Sequence, residues 1–153
     1  MAFTLSSSAF KAGATIPKQH TCAGADLSPG LFWSGAPSAT THFALIADDP
    51  DAPVGTWVHW VLYDLPAHTS DLLPGLPPDE ALPNGAKQGL NDFRKVGYGG
   101  PCPPPGKPHR YFFKLYALDA PTALKARATK AQVLRAIDGH VLGQAELMGT
   151  YQR

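Results

Sequence analysis

The first group of residues that could do chemistry is an acidic turn in the first half of the chain. Three carboxylates, Asp48, Asp49 and Asp51, lie within four positions and are flanked by two prolines. Because proline fixes φ, the turn is predicted to be rigid and its carboxylates to be aimed in set directions. His59 follows in an apolar segment. The alternative is an ordinary Asp-rich turn whose side chains bond their own backbone.

A second group is a glycine- and proline-rich loop over residues 97–108 that leads into His109 and Tyr111. Glycines let backbone N–H groups approach a ligand and form an anion-binding concavity, whereas prolines stiffen its rim. Alternation along a strand places His109 and Tyr111 on one face and Arg110 on the other. His59, His109 and Tyr111 could together donate hydrogen bonds to an anion, and no Arg or Lys would be needed. The alternative is a rigid loop that feeds a core strand.

Two other chemistries stay open at this point. Asp49, His59 and His109 could act as acid and base of a hydrolase on a phosphoester or acyl ester. Ser28 and Cys102 are then the candidate nucleophiles nearest in sequence. The two histidines, Asp49 and Cys102 could instead hold zinc, although they lack finger-like spacing. The common hydrolase, phosphate-loop and dinucleotide motifs are absent from the sequence.

Short segments rich in aromatic and branched residues must position these groups. Strands are predicted over residues 41–47, 57–63 and 110–118, with weaker ones over 31–33 and 149–152. Segment 57–63 has apolar residues at both its odd and its even positions, which predicts a central strand covered on both faces. One face is expected to carry His59, Val61 and Tyr63, and the other Val58, Trp60 and Leu62.

Helical signals are confined to the C-terminal part of the chain. Thr129 and Gln132 form a capping box ahead of an apolar stripe, and Gly139 is placed to end that helix. A second short helix is predicted over residues 141–147. The proline-rich segment 66–92 is predicted to be a packed excursion because leucines recur through it. The pattern indicates a mainly β domain with helices near the C-terminus.

Composition limits the classes of function. A chain of 153 residues fits a single domain, residues 1–153. A net charge of +1 leaves no basic field for nucleic acid. No apolar run is long enough for a membrane span, and residues 1–10 lack a secretion signal, so a cytoplasmic protein is expected. Cys22 and Cys102 are then expected to be free thiols, with a disulfide as the minority alternative.

The residues DDPDAP…HW and GYGGPCPPPGKPHRY resemble the two signature regions of the phosphatidylethanolamine-binding protein family, also called the Raf kinase inhibitor protein family. Residues 16–29 and 139–151 resemble the ends of its bacterial branch, so the match covers nearly the whole chain. Two departures lie outside the matching pocket positions. Gly30 replaces the branch's usual second proline, and Arg94 stands where a glycine is more usual.

The resemblance implies antiparallel β-sheets in a Greek-key-like sandwich with short C-terminal helices and a small anion-binding pocket. Asp51 is expected to belong to the ligand-binding set and to order the acidic turn. Trp57 and Tyr98 are expected to be pocket walls. The pocket positions that match the family are Asp49, Pro53, His59, Gly100, Pro101, His109 and Tyr111.

The leading hypothesis is a small binding or regulatory protein with no catalytic residue, metal or cofactor. Its ligand would be a phosphate- or carboxylate-bearing group, such as a phosphoethanolamine headgroup or part of a phosphorylated partner. The pocket is expected to be too small and polar to bury lipid tails. Since a neighbouring carboxylate favours protonated imidazole, anions should bind more tightly as pH falls through ~6.5. The bacterial branch also suggests a homodimer, for which segment 66–92 could supply the interface.

Overall fold

The computed structural model describes residues 2–153 as strands joined by long turns. A 3-10 turn at Lys18–His20 precedes β2, and one α-helix, α1 (Lys130–Ile137), lies between the last two strands. The strands are β1 (Thr4–Ser7), β2 (Leu31–Ser34), β3 (His42–Asp49), β4 (Trp57–Pro66), β5 (Asp71–Leu72), β6 (Lys87–Gln88), β7 (His109–Leu118) and β8 (Val141–Tyr151).

All strands pair antiparallel within two sheets. The smaller sheet has the order β1-β2-β5 and the larger has the order β6-β4-β3-β7-β8. The main core contains Leu31 and Trp33 of the smaller sheet together with Leu45 and Leu115 of the larger one. A second core contains Ile46 of β3 and Val133 of α1. The predicted mainly β architecture is confirmed, and the strand over 57–63, now part of β4, is buried on both faces as expected.

The C-terminal part confirms one helix and corrects the other. At α1, Thr129 accepts a hydrogen bond from the Gln132 N–H, and the Gln132 side chain accepts one from the Thr129 N–H. Residues 141–147, predicted to be helical, instead belong to β8. Burial alternates there with a period of two, at Ala145, Leu147 and Gly149. Pairing with β7 along nearly the whole strand outweighs the local helical preference.

A β-bulge at the start of β4 changes which way His59 points. Ala47 pairs with Trp60, whereas the next residue, Asp48, pairs with Val58. His59 is therefore the extra residue, and the side-chain alternation breaks there. Val58 joins the core beneath α1, and His59 lies against the Tyr111 ring, so the predicted faces of both residues were wrong.

The excursion over residues 66–92 is packed, as predicted: Leu72 and Leu82 join the main core, and the buried Gln88 side chain bonds in three directions. The Gln88 side-chain oxygen accepts a hydrogen bond from Trp60 Nε1 at 2.9 Å. Its amide nitrogen donates to the carbonyls of Pro77 and Asp79, both at 2.9 Å. These three bonds fasten the excursion to β4. A homodimer interface on this segment stays a prediction.

Cys22 and Cys102 form a disulfide between segments 80 residues apart. The expectation of two free thiols was therefore wrong, because the fold brings together two loops that no local pattern connects. Disulfides are typical of oxidising compartments, so the cytoplasmic location inferred from the sequence stays a prediction. Among residues 2–153, no helix has the length and apolar character needed to cross a bilayer.

Candidate functional site

The acidic turn is fixed by its own carboxylates and by β7. Asp49 Oδ1 accepts a hydrogen bond from the Asp51 N–H at 2.7 Å. Asp51 in turn accepts from the backbone N–H of Arg110 at 2.9 Å and from its guanidinium at 2.9 and 3.0 Å. The guanidinium lowers the pKa of Asp51 to about 2. Asp51 therefore orders the turn, as the resemblance implied, and ties it to the start of β7.

His109 is held by the second oxygen of Asp49. Its Nδ1 donates to Asp49 Oδ2 at 2.7 Å, and both side chains are buried. The Asp49 carboxylate is thus bonded through one oxygen to the turn and through the other to the imidazole. Its role is to orient His109, and the ring's second nitrogen, Nε2, has no hydrogen-bond partner among residues 2–153.

His59 is held from the opposite side by the glycine-rich loop. Its Nδ1 donates to the carbonyl of Gly99 at 2.6 Å, and the Gly99 N–H donates back to the carbonyl of His59 at 2.9 Å. Burial lowers the pKa of His59 below its ordinary value, which favours the neutral ring. Since the proton of that neutral ring lies on Nδ1, its Nε2 presents a lone pair.

Tyr111 adds a hydroxyl that the protein leaves unpaired. Its ring centroid lies 5.2 Å from that of His59 and 6.5 Å from that of His109. The hydroxyl oxygen is buried and has no hydrogen-bond partner among the described residues. Burial, with smaller contributions from Asp49 and Asp51, raises the pKa of Tyr111. The hydroxyl therefore stays protonated and can donate throughout the neutral range.

These three side chains line one cavity of about 210 Å³. That volume is below the roughly 300–1,000 Å³ of pockets for drug-sized ligands. Its wall is mostly apolar, which corrects the expectation of a polar pocket, while the small size agrees with it. The remaining lining residues are Asp49, Ala52, Pro53, Val54, Trp57, Phe93, Cys102, Pro103 and Pro104.

Two predicted pocket residues support the loop instead of lining the cavity. The Gly100 N–H donates to Asp26 Oδ1 at 2.8 Å, and the carbonyl of Pro101 accepts from the Cys22 N–H at 3.1 Å. The Gly99 N–H is also bonded, as described above. The amides of Gly97, Gly99 and Gly100 are thus already bonded within the protein, so side chains at the cavity wall are better placed as anion donors.

Tyr98 is a support as well, whereas Phe93 is a wall that the sequence did not suggest. The Tyr98 hydroxyl donates to the carbonyl of His20 at 2.7 Å, and its ring packs edge-on against Trp60. Phe93 makes edge-on contacts with both Trp57 and His59 at centroid distances of 5.5 Å. It follows the excursion in the chain, and only the folded arrangement brings it to the cavity.

The candidate nucleophiles of the hydrolase alternative and the thiolate of the zinc alternative are not free. Ser28 is buried, and its hydroxyl accepts from the Leu76 N–H at 2.9 Å, away from the cavity. Cys102 lines the cavity, but its sulfur is bonded to Cys22. Neither residue is a free nucleophile, and Cys102 is no thiolate ligand for zinc. In the described part of the chain, no three His, Cys, Asp or Glu residues are grouped as metal ligands would be.

Comparison with known proteins places the chain in a family. The model of the family described as phosphatidylethanolamine-binding protein matches residues 6–152. The chain therefore belongs to the phosphatidylethanolamine-binding protein family. The resemblance drawn from the two signature regions is confirmed over nearly the full length of the chain.

Relatives and solved structures match end to end. A UPF0098 protein of Methanothermobacter thermautotrophicus is 48% identical over 97% of this chain and 98% of its own length. A phosphatidylethanolamine-binding protein homolog from Chlamydia trachomatis is 41% identical, with a TM-score of 0.91 over 99% of this chain and 98% of that one. YbcL of E. coli, described as a member of the mammalian family, is 36% identical, with a TM-score of 0.93 over 100% and 99% of the two chains.

Proposed function

We propose that this protein binds a phosphate- or carboxylate-bearing group in the cavity formed by His59, His109 and Tyr111. One observation carries the proposal: two oriented imidazoles and a buried, unpaired hydroxyl line the same small cavity. Buried polar groups in proteins almost always have a partner, so an unpaired hydroxyl at a cavity wall calls for a ligand or an ordered water. The role that fits is a binding or regulatory protein.

Binding of an anion here is coupled to proton uptake. Both imidazoles already donate through Nδ1, to Gly99 and to Asp49, so a neutral ring offers an anion only the lone pair of Nε2. Nε2 becomes a donor when the ring takes a second proton, which also supplies positive charge. No Arg or Lys lines the cavity. Affinity therefore rises as pH falls, in the direction predicted from the sequence.

The apolar wall narrows the class of ligand. A free inorganic anion would contact the imidazoles and the hydroxyl but leave Pro53, Trp57 and Phe93 without a partner. An anion attached to a short carbon chain would contact both. A phosphoethanolamine headgroup and a phosphorylated side chain of a partner both have this character.

The proposal is tested by a two-dimensional NMR titration with inorganic phosphate, phosphoethanolamine and ethanolamine. Both phosphates should shift the amide signals of residues 49–59 and 99–111, and ethanolamine should not, because the cavity recognises the anion. The control is a histidine outside the cavity. His68 is exposed, and His68→Ala should leave the titration unchanged. An equal response to ethanolamine, or no response to either phosphate, would reject the anion site.

Tyr111→Phe is expected to separate binding from stability. The variant loses a donor to the anion, so affinity should fall by about tenfold, but it breaks no internal hydrogen bond. Tyr63→Phe is the matched opposite, because the Tyr63 hydroxyl donates to the carbonyl of Lys125 and accepts from the Ala128 N–H. It should lower the free energy of unfolding by about 1–2 kcal/mol and leave affinity unchanged.

Calorimetric titration with sulfate and urea unfolding measure both quantities for each tyrosine variant. Sulfate is the better probe here because its charge stays constant through the neutral range. If Tyr111→Phe destabilises the fold as much as Tyr63→Phe does, its hydroxyl has an internal partner, and the argument from an unpaired donor fails.

A further inference from the structure

The disulfide is part of the cavity. Cys102 is one of the lining residues, next to Pro103 and Pro104 on the same stretch of wall. Both Cys22 and Cys102 are exposed residues, so a dissolved thiol can approach the bond without unfolding the protein. This accessibility distinguishes the bond from a disulfide that is sealed within a core.

The same two segments are joined by three hydrogen bonds besides the disulfide. Tyr98 donates to the carbonyl of His20, the Gly100 N–H donates to Asp26, and the Cys22 N–H donates to the carbonyl of Pro101. These bonds hold residues 98–101, upstream of Cys102. They should keep the loop attached after reduction, while the stretch from Cys102 to Pro104 loses its covalent tie.

The loop also sets the position of an anion-binding imidazole. Gly99 both accepts from His59 Nδ1 and donates to the carbonyl of His59. Any loosening of the loop at Cys102 therefore affects the cavity wall directly. It also affects the orientation of His59 through Gly99, which lies three residues before Cys102. Affinity that depends on preorganised groups falls when those groups must be ordered on binding.

We propose that the Cys22–Cys102 disulfide is a thiol–disulfide exchange site for dithiol reductants, and that its redox state sets the anion affinity of the cavity. The claim that the disulfide undergoes exchange rests on the exposure of the bond. The claim that its redox state sets the anion affinity rests on the function proposed above. The oxidised protein is the tight-binding form, and the reduced protein stays folded and binds anions more weakly.

The exchange balances without any further reactant. One thiolate of the dithiol attacks a cysteine sulfur and forms a mixed disulfide, while the other cysteine leaves as a thiolate and takes a proton. The second thiol of the reductant then attacks the mixed disulfide and releases the first cysteine. Two electrons pass to the protein, and the dithiol becomes a disulfide.

The test compares oxidised and dithiothreitol-reduced wild-type protein in native buffer. Thiol titration should find both cysteines reactive after reduction, and NMR shifts should be confined to residues 18–27, residues 97–106 and the neighbourhood of His59. The dissociation constant for sulfate should rise by about fivefold and return after reoxidation. By linkage, bound sulfate should make the disulfide harder to reduce by the same factor.

The double variant Cys22→Ala/Cys102→Ala is the control. It should bind sulfate as weakly as the reduced protein does and should not respond to dithiothreitol. Equal affinities of the oxidised and reduced forms, or reduction that requires denaturant, would overturn the proposal. If the oxidised protein binds no anion, the proposed function itself fails and the claim about anion affinity fails with it, while thiol titration still decides whether the exchange occurs.

Discussion

His109→Ala is expected to weaken sulfate binding by roughly a hundredfold at about pH 6. The variant removes a donor that carries charge when protonated, and hydrogen bonds to charged groups contribute about 1.5–3 kcal/mol. It also leaves the buried Asp49 carboxylate without its imidazole partner at the edge of the cavity. A carboxylate that faces the site repels the anion, so the loss should exceed that of one hydrogen bond.

Adding Asp49→Asn to the His109→Ala variant separates the loss of the imidazole donor from the repulsion by the Asp49 carboxylate. An asparagine keeps an oxygen for the Asp51 N–H, as Asp49 Oδ1 now provides, but carries no charge. The double variant His109→Ala/Asp49→Asn should therefore recover about tenfold of the lost affinity. It should also recover part of the roughly 2–3 kcal/mol of stability that an unpaired buried carboxylate costs.

Calorimetric titration with sulfate and urea unfolding of the four proteins of this cycle provide the measurement. If the double variant binds no better than His109→Ala, the carboxylate is not left facing the anion, and the role given to Asp49 is wrong. If His109→Ala binds like wild type, His109 does not contact the ligand.

Removal of the disulfide is expected to give the largest change in stability. The bond closes a loop across 80 residues, and restricting such a loop in the unfolded chain contributes about 4 kcal/mol. Cys22→Ala/Cys102→Ala should lose that amount relative to oxidised wild type, which corresponds to a fall in Tm of roughly 10 °C. The three hydrogen bonds between the same segments should let the variant keep its fold.

The contrast with reduced wild type provides the internal check for this prediction. Reduced wild-type protein and the double variant should unfold at nearly the same urea concentration, since both lack the covalent link. A loss of less than about 1 kcal/mol in the double variant would mean that the unfolded chain gains little freedom from the broken bond.

Elements with a strong local pattern were predictable from the sequence. The three main strands are marked by aromatic and branched residues, and α1 is marked by a capping box whose two hydrogen bonds both form. The bulge at His59 was not predictable from the sequence, because it depends on the pairing register of β4 with β3. Residues 141–147 of β8 were wrongly predicted to be helical although alternation at Ala145 and Leu147 was visible, because the pairing with β7 is not apparent from the local sequence.

For the candidate site, the sequence predicted which residues lie together better than it predicted their hydrogen bonds. Asp49, Pro53, His59, His109 and Tyr111 do line one cavity, whereas Asp51, Gly100 and Pro101 hold the surrounding turn and loop. Sequence shows that an amide is present but not that it is already bonded, as the Gly99 and Gly100 amides are. The disulfide and Phe93 come from segments that only the tertiary fold brings together.

The most direct measurement of the central claim observes the ring nitrogens of His59 and His109 by long-range proton–nitrogen NMR during a sulfate titration near pH 7. Without anion, Nδ1 of His59 should carry the proton and Nε2 should be an acceptor. Sulfate at saturation should protonate Nε2 of at least one of the two rings, with Tyr111→Phe shifting the midpoint to higher concentration. Saturable sulfate binding with both Nε2 atoms still unprotonated would contradict the account, and so would a titration in which neither ring responds.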